Sequence, residues 1–188
     1  MVINELRGQP LDRLTATQRF FYERSREFTV KLDGSYLADD ETFYAISDGK
    51  NSILELKLTP RNTSEITVDI YVSPKEVTVW LDGWHEDIEF TDSLMKEQYE
   101  KIEKLVMFAL SKQCKIIIYK AAGKAYKWKL YAFENGKWKF YSMAASLVYN
   151  FLGHRTTEEK QSRVFNEAVY PAELFAPKMG KRQGRFHL

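Results

Sequence analysis

Hydrophobic and polar residues alternate over most of the first half of the chain, which is the pattern of half-buried β-strands. The clearest example is residues 65–72, where β-branched residues alternate with more polar neighbours. The Asp82-Gly83 dipeptide, which favours a tight hairpin, separates the last two of these segments. The pattern predicts a series of antiparallel strands at residues 42–47, 52–58, 65–72, 77–81 and 84–90.

The hydrophobic period then lengthens to about 3.6 residues, which indicates an amphipathic helix. We predict a long helix over residues 92–112, with Asp92 or Ser93 capping its first N–H groups. A poorer stripe near the start of the chain predicts a first helix over residues 15–27, and alternation over residues 28–32 predicts a strand after it. The apolar stripe of the long helix consists of Met95, Tyr99, Ile102, Val106 and Ala109.

The second half of the chain returns to strand signals and ends in helical ones. An apolar run at Ile116, Ile117 and Ile118 has no polar side, which is typical of a central strand. Asn135-Gly136 is a strong hairpin signal, and Thr156 with Glu159 forms a capping-box pattern that favours a helix start. The predicted elements are strands at 114–119, 126–134 and 137–143 and helices at 144–153 and 157–169.

This order of elements predicts an α+β fold. Its mostly antiparallel sheet would have one long amphipathic helix, at about residues 92–112, inserted between strand groups, and helices at the C-terminal end. A length of 188 residues suits one domain, which we place at residues 1–177. Residues 178–188 would form a basic, flexible tail that contains Lys178, Lys181, Arg182 and Arg185 and no acidic residue.

Composition narrows the class of protein. Aromatic residues make up 14% of the chain, which favours sheet, and the net charge of +2 gives no bulk attraction to nucleic acid or membrane. The single cysteine fits a reducing compartment. The chain shows neither a signal-peptide pattern at its start nor an apolar run long enough to span a membrane. We therefore expect a cytoplasmic protein with no membrane contact.

Common catalytic motifs are missing from the sequence, and its three histidines, His85, His154 and His187, lack metal-site spacing such as H-E-x-x-H. Cys114 begins a predicted buried strand, where a thiol is normally inert. The alternative is that Cys114 is a catalytic nucleophile activated by His85 or His154, if the fold brings the two side chains together. We predict no catalytic residue, no cofactor and a non-enzymatic role, and the alternative is a hydrolase with an unrecognised site.

Pairing across the Asp82-Gly83 turn places Leu81 opposite Trp84. The other pairs follow from this one, and one face of the hairpin then holds the apolar residues of a core, with Glu86 as the exception. Because a slip of one residue would reverse both faces, this register is well specified. The outward face is acidic and holds Glu76, Thr78, Trp80, His85, Asp87 and Glu89.

Three interpretations of this outward face are open: a solvated surface, a protein-binding patch and a metal site. Tryptophan is enriched at interface hot spots, and carboxylates around Trp80 would select a basic partner. A metal site would use His85, Asp87 and Glu89. Alternate residues of a strand lie ~7 Å apart, which is too far for all three to reach one ion easily, so we predict no metal.

The strand from Val77 to Leu81, then Asp82-Gly83-Trp84-His85-Glu86-Asp87, an acidic-rich helix and an apolar strand together resemble some bacterial toxin-immunity proteins. The resemblance covers about residues 65–120. It implies a small cytoplasmic protein with an acidic patch that faces a toxin. The partner-binding residues would be Glu76, Trp80, His85, Asp87 and Glu89.

The Asn135-Gly136 hairpin supports an alternative function, because aromatic rings and lysines interleave on both of its faces. Rings stack on bases and lysines neutralise phosphates, so the hairpin could be a nucleic-acid-binding module. Packing of one face on the core, with lysine stems covering the rings of the other, is the structural interpretation. The nucleic-acid-binding residues would be Lys127, Trp128, Lys129, Trp138 and Lys139.

The leading hypothesis is a non-catalytic protein-binding domain, an immunity-type inhibitor of a basic toxin. Its acidic patch would steer and cap a basic active site, and a tryptophan would anchor the complex.

Overall fold

The computed structural model describes residues 6–7, 11–30, 32, 36–38, 40–47, 52–90, 93–146 and 153–165. A short 3-10 helix, Leu11–Arg13, precedes the helix α1 (Ala16–Thr29), and a second α-helix, α2 (Met95–Ala109), separates two groups of strands. The first group is β1 (Leu6–Arg7), β2 (Phe43–Ile46), β3 (Leu54–Leu58), β4 (Val68–Val72), β5 (Glu76–Leu81) and β6 (Trp84–Glu89). The second is β7 (Cys114–Ala121), β8 (Lys124–Glu134), β9 (Lys137–Ala145) and β10 (Arg155–Lys160).

The strands form two sheets. The first has the order β1-β2-β3-β4-β5-β6 and is antiparallel except for the parallel β1–β2 pair. The second is antiparallel throughout, in the order β10-β7-β8-β9. The α+β class and the antiparallel pairing are confirmed, whereas the strands divide between two sheets instead of one.

Helix α1 lies on the inner face of the first sheet. The side-chain amide of Gln18 donates to the backbone oxygens of Ser52 and Val72, at 2.8 and 3.0 Å. The ring of Tyr22 meets the ring of Tyr44 edge-on at 4.9 Å. These contacts tie the helix to three strands or strand ends, so one face of the sheet is covered.

The first helix is longer than the sequence pattern indicated. It begins after Thr15, which forms a capping box with Gln18, and runs through Phe28 and Thr29. The predicted strand over residues 28–32 is therefore wrong. Phe28 lies two helical turns after Phe21 and is buried on the same side, whereas Val30 is 71% exposed.

Helix α2 lies inside the range predicted for a long helix, residues 92–112, but it is shorter at both ends and the described chain has two α-helices of similar length, so the prediction of one long helix is not matched. Its N-cap is Leu94, which makes no side-chain cap, so the prediction of Ser93 as the cap is wrong. Asp92 lies outside the described residues. Within the described residues, neither helix is long and apolar enough to cross a membrane.

The C-terminal end of the described chain differs most from the prediction. Residues 155–160 form the strand β10 and not the start of a helix, because β7 offers an edge that this segment pairs with over its whole length. Ion pairs of Lys120 with Glu158 and of Lys115 with Glu159 fasten the two strands. The position of β7 between β10 and β8 confirms it as a central strand.

The predicted helix at residues 144–153 is also not matched. Ala144 and Ala145 complete the strand β9, where they pair with β8. Residues 147–152 lie outside the described residues, as do residues 166–169 of the second predicted helix and the whole basic tail.

The two sheets meet at the turn between β5 and β6. The indole of Trp128, on β8, lies directly against Gly83. The indole N–H of Trp84 donates to the hydroxyl of Ser142 at 3.2 Å, and Lys160 pairs with Asp82 at 2.8 Å. The buried apolar residues of both sheets and both helices form one hydrophobic cluster.

This junction yields a stability prediction, because Gly83 has φ +104° and a Cβ placed there would lie 2.5 Å from two atoms of Trp128. Gly83→Ala adds a clash to backbone strain, so we expect the free energy of unfolding to fall by about 3 kcal/mol. Gly136→Ala is the matched control: its φ is +78° and nothing lies within 4 Å of the new Cβ. Strain alone should cost it about 1 kcal/mol. Urea denaturation measures both, and equal losses would contradict the predicted close contact.

Candidate binding faces

The hairpin formed by β5 and β6 has the predicted register, from Leu81 opposite Trp84 to Glu76 opposite Glu89. Its turn residues Asp82 and Gly83 have φ values of 49° and 104°, as a tight two-residue turn requires. The apolar side is buried, as expected. The five predicted partner-binding residues share the outward side, and they are Glu76, Trp80, His85, Asp87 and Glu89.

This acidic patch continues across the first sheet, which the sequence did not indicate. Trp80 lies beside Asp69 on β4, Asp69 beside Lys57 on β3, and Lys57 beside Phe43 on β2. All four side chains are half-buried, as those of an open sheet face are. We call this surface the acidic face: Phe43, Ala45, Glu55, Lys57, Asp69, Tyr71, Glu76, Thr78, Trp80, His85, Asp87 and Glu89.

The face carries strong negative charge, because its carboxylates outnumber its cations. The only cation among its residues is Lys57. Its carboxylates are Glu55, Asp69, Glu76, Asp87 and Glu89.

Cross-strand contacts order the β5–β6 part of the acidic face. The imidazole of His85 stacks on the indole of Trp80, with ring centroids 4.5 Å apart and planes at 24°. The hydroxyl of Thr78 donates to the carboxylate of Asp87 at 2.8 Å. The stack restricts the rotamers that Trp80 can adopt, so its ring is ordered on the surface of the sheet.

Asp69 stands in the middle of the acidic face without a hydrogen bond that would offset its burial. Its Oδ1 atom is buried, and no donor in the described part of the chain reaches it. Burial raises the pKa of this carboxyl group, and the positive charge of Lys57 opposes the shift only in part. Buried polar atoms in native proteins are nearly always paired. Among the described residues, buried side-chain atoms of Tyr36, Glu65 and Gln113 also lack a hydrogen-bond partner, so Asp69 is one of four exceptions.

The described residues show neither the geometry of a metal site nor that of an activated Cys114 nucleophile. Among them, no three His, Cys, Asp or Glu side chains are arranged to hold a metal ion, although His85, Asp87 and Glu89 share a face. Burial raises the pKa of the Cys114 thiol well above its ordinary value. His85 and His154 are exposed, and the described structure shows no hydrogen bond between either imidazole and this thiol.

A cleft of about 200 Å³ lies between α1 and α2. It is smaller than most small-molecule sites, which enclose roughly 300–1,000 Å³. The cleft has no histidine, serine or cysteine, and it offers no nucleophile–base pair for a hydrolase. Its lining residues are Phe20, Arg24, Glu27, Phe28, Lys96, Tyr99, Glu100 and Glu103.

The hairpin formed by β8 and β9 departs from the simple pairing at a bulge between Leu130 and Tyr131. The extra residue shifts the pairing by one, so Met143 lies opposite Lys129 and shares its face, whereas simple pairing across the Asn135-Gly136 turn places these two residues on opposite faces. Bulges carry no clear sequence signal, and this one was missed.

The five residues predicted to bind nucleic acid do not share one face. Lys127, Lys129 and Trp138 point outward, whereas Trp128 lies against Gly83 at the sheet junction. Lys139 lies opposite the buried Ala132 and forms an ion pair with Glu134 at 2.6 Å, and this contact raises its pKa.

The outward side of the second sheet is rich in rings and lysines. Lys115 lies over Trp138 at 4.4 Å, and Lys127 lies over Tyr119 at 4.3 Å. Phe140 is 55% exposed, which is unusual for a large apolar ring. We call this surface the aromatic–lysine face: Lys115, Ile117, Tyr119, Lys127, Lys129, Tyr131, Phe133, Trp138, Phe140 and Met143.

Comparison with protein-family models, with curated proteins and with solved structures found no match to this chain. The resemblance to toxin-immunity proteins therefore stays a prediction. Function has to be argued from the chemistry of the two faces.

The unpaired carboxylate yields a pH-dependent stability prediction. The pKa of Asp69 is higher in the folded chain than in the unfolded one, so folding is favoured below its ordinary pKa of about 3.9. That advantage is lost as the pH rises through the folded-state value. The side chain of Asp69→Asn stays uncharged at every pH, so this variant never places a buried negative charge there. It should therefore be more stable than the wild type at pH 7, by about 1 kcal/mol, and no more stable at pH 3.

Asp87→Asn is the matched control, because Asp87 is exposed and paired with Thr78. Its stability at pH 7 should stay within about 0.5 kcal/mol of the wild type. Urea denaturation at the two pH values measures both variants. A clear loss of stability in Asp69→Asn at pH 7 would show that the carboxylate stabilises the fold.

Proposed function

We propose that this chain is a non-catalytic protein-binding domain whose acidic face captures a cationic partner. The observation that carries the proposal is the ordered ring of Trp80, which stacks on His85 and shares its face with the exposed carboxylates of Glu76, Asp87 and Glu89. A lysine or arginine from a partner would form charge-assisted hydrogen bonds with these carboxylates. The ring of Trp80 would then be the apolar anchor of the complex.

The charge of the face supports a basic partner over other proteins. Its carboxylates, at Glu55, Asp69, Glu76, Asp87 and Glu89, are opposed within the face by Lys57 alone. Such a field accelerates encounter with a cationic surface and disfavours acidic proteins, because like charges brought together are costly.

The shape of the face suits a protein better than a small molecule. Five adjacent strands, β2 to β6, span about 19 Å at the usual strand spacing. The cleft of about 200 Å³ lies between α1 and α2 and not on this face, which presents Trp80 as a half-buried ring stacked on His85. A ring that is already ordered is a typical interface anchor.

A finer proposal follows from the resemblance to toxin-immunity proteins. In that case the partner is a basic toxin, and the domain inhibits it by covering its active site. Cationic active sites are common where the substrate is a nucleic acid. The acidic face would occupy such a site in place of the phosphates.

The double variant Trp80→Ala, Asp87→Lys tests the proposal. Both side chains lie on the open face, so the variant should fold, while it loses the anchor and reverses one charge. Hot-spot changes cost about 2 kcal/mol or more each, so the affinity for the partner should fall by at least about 100-fold. Tagged wild type and variant are used to capture proteins from the native host lysate after nuclease treatment. A basic protein that only the wild type captures is then titrated with both.

A matched control makes the same kinds of substitution elsewhere: Trp138→Ala with Glu97→Lys. Trp138 lies on the aromatic–lysine face and Glu97 on α2, where it pairs with Lys101. This control should capture the same basic protein with unchanged affinity. Equal capture by the Trp80→Ala, Asp87→Lys variant, with its fold verified by circular dichroism, would overturn the proposal.

A further inference from the structure

The aromatic–lysine face differs from the acidic face in charge, in exposure and in the partner that it fits. Its cations are Lys115, Lys127 and Lys129, of which Lys115 pairs with Glu159 on β10 at 3.3 Å. Lys127 and Lys129 make no ion pair in the described part of the chain, and their recorded contacts are with rings. Two positive charges are therefore available to an anionic ligand.

The rings of this face are partly free to stack. Phe140 and Phe133 are 55% and 39% exposed. Each meets a neighbour edge-on, Phe140 with Tyr131 at 5.8 Å and Phe133 with Trp138 at 5.2 Å. Edge-on contact fixes a ring while leaving a π face available to a ligand.

Rings and cations alternate at close range. Lys129 lies 5.4 Å from the centre of the Tyr119 ring and 5.9 Å from that of Phe140. A flat group stacked on Phe140 would therefore have an ammonium group beside it. This spacing suits a ligand that carries an aromatic plane and a negative charge in every repeating unit.

We propose that the aromatic–lysine face binds single-stranded nucleic acid, which is a function separate from that of the acidic face. Bases would stack on Phe140 and Phe133, and Lys127 and Lys129 would contact phosphates. Single strands fit better than a duplex, because only unpaired bases offer their faces to a ring. A protein partner fits less well, since lysine is depleted at protein interfaces and here it lies among the rings.

The structure corrects the residues first expected to bind nucleic acid. Trp128 is half-buried and lies against Gly83, and Lys139 is paired with Glu134, so neither serves the proposed site. Phe140, Phe133 and Tyr119 take their place. Tyr119 comes from β7, so the site includes a strand outside the hairpin.

Fluorescence anisotropy of the full chain with a labelled oligouridylate of about 15 nucleotides, over a range of salt concentrations, tests the proposal. Phe140→Ala should weaken binding about tenfold and leave the salt dependence unchanged, because it removes stacking alone. Lys127→Gln with Lys129→Gln should weaken binding and lower the slope of log K against log salt by about 1.4, the value for two phosphate contacts with a single strand.

Two controls separate this face from other charges. Lys96→Gln with Lys104→Gln removes two exposed lysines of α2 and should leave affinity and slope unchanged. Trp80→Ala with Asp87→Lys changes only the acidic face, so it should bind the oligonucleotide no more weakly than the wild type. The oligonucleotide assay therefore tests the aromatic–lysine face alone, and the capture assay tests the acidic face alone.

The proposal predicts that a duplex of the same length binds more weakly than the single strand. It is overturned if the wild type does not bind at low salt, or if the face variants bind like the wild type. Tighter binding of polyglutamate than of the oligonucleotide, lost in the same variants, would instead assign the face to an acidic protein.

Discussion

The two sheets meet where the indole of Trp128 lies against Gly83 in the β5–β6 turn. The close approach requires glycine at this position, because any side chain there would clash with the indole. The neighbouring Asp82 completes the junction. One of its carboxylate oxygens accepts from the backbone N–H of Thr67, and the other pairs with Lys160 on β10. The turn thus links the start of β4, the end of β10 and the centre of β8, and its conformation sets the register of β5 with β6.

Both exposed faces are consequences of this junction. It brings the inner sides of the two sheets into one hydrophobic cluster with both helices, so each sheet keeps one side toward solvent. The sequence then gives those sides opposite chemistry: carboxylates with Trp80 on the first, and lysines with Phe140 and other rings on the second. A net charge of +2 conceals this separation, because the two faces largely cancel in the sum.

Sequence reasoning succeeded where local rules decide the structure. The Asp82-Gly83 turn sets the pairing of β5 with β6, and a slip would expose the buried side, so this register was predictable. The row of residues that crosses the sheet from Phe43 on β2 to Trp80 on β5 could not be predicted. It depends on which strands are neighbours, and the hydrophobic pattern does not specify that order. The segment 155–160 was predicted as the start of a helix because its capping pattern can be recognised from neighbouring residues. Its pairing and ion pairs with β7, which is distant in sequence, make it a strand.

Asp69 and Asp82 are two partly buried carboxylates that this fold places in different surroundings. Burial raises the pKa of both carboxyl groups. Asp82 is compensated by Lys160 and by the N–H of Thr67, which shows that this fold can place partners around a buried carboxylate where structure requires one. The Oδ1 atom of Asp69 has no hydrogen-bond partner in the described chain, and the charge of Lys57 opposes the shift of its pKa only in part. Asp69 therefore lowers the stability of the fold at neutral pH, whereas Asp82 is part of the junction that joins the two sheets.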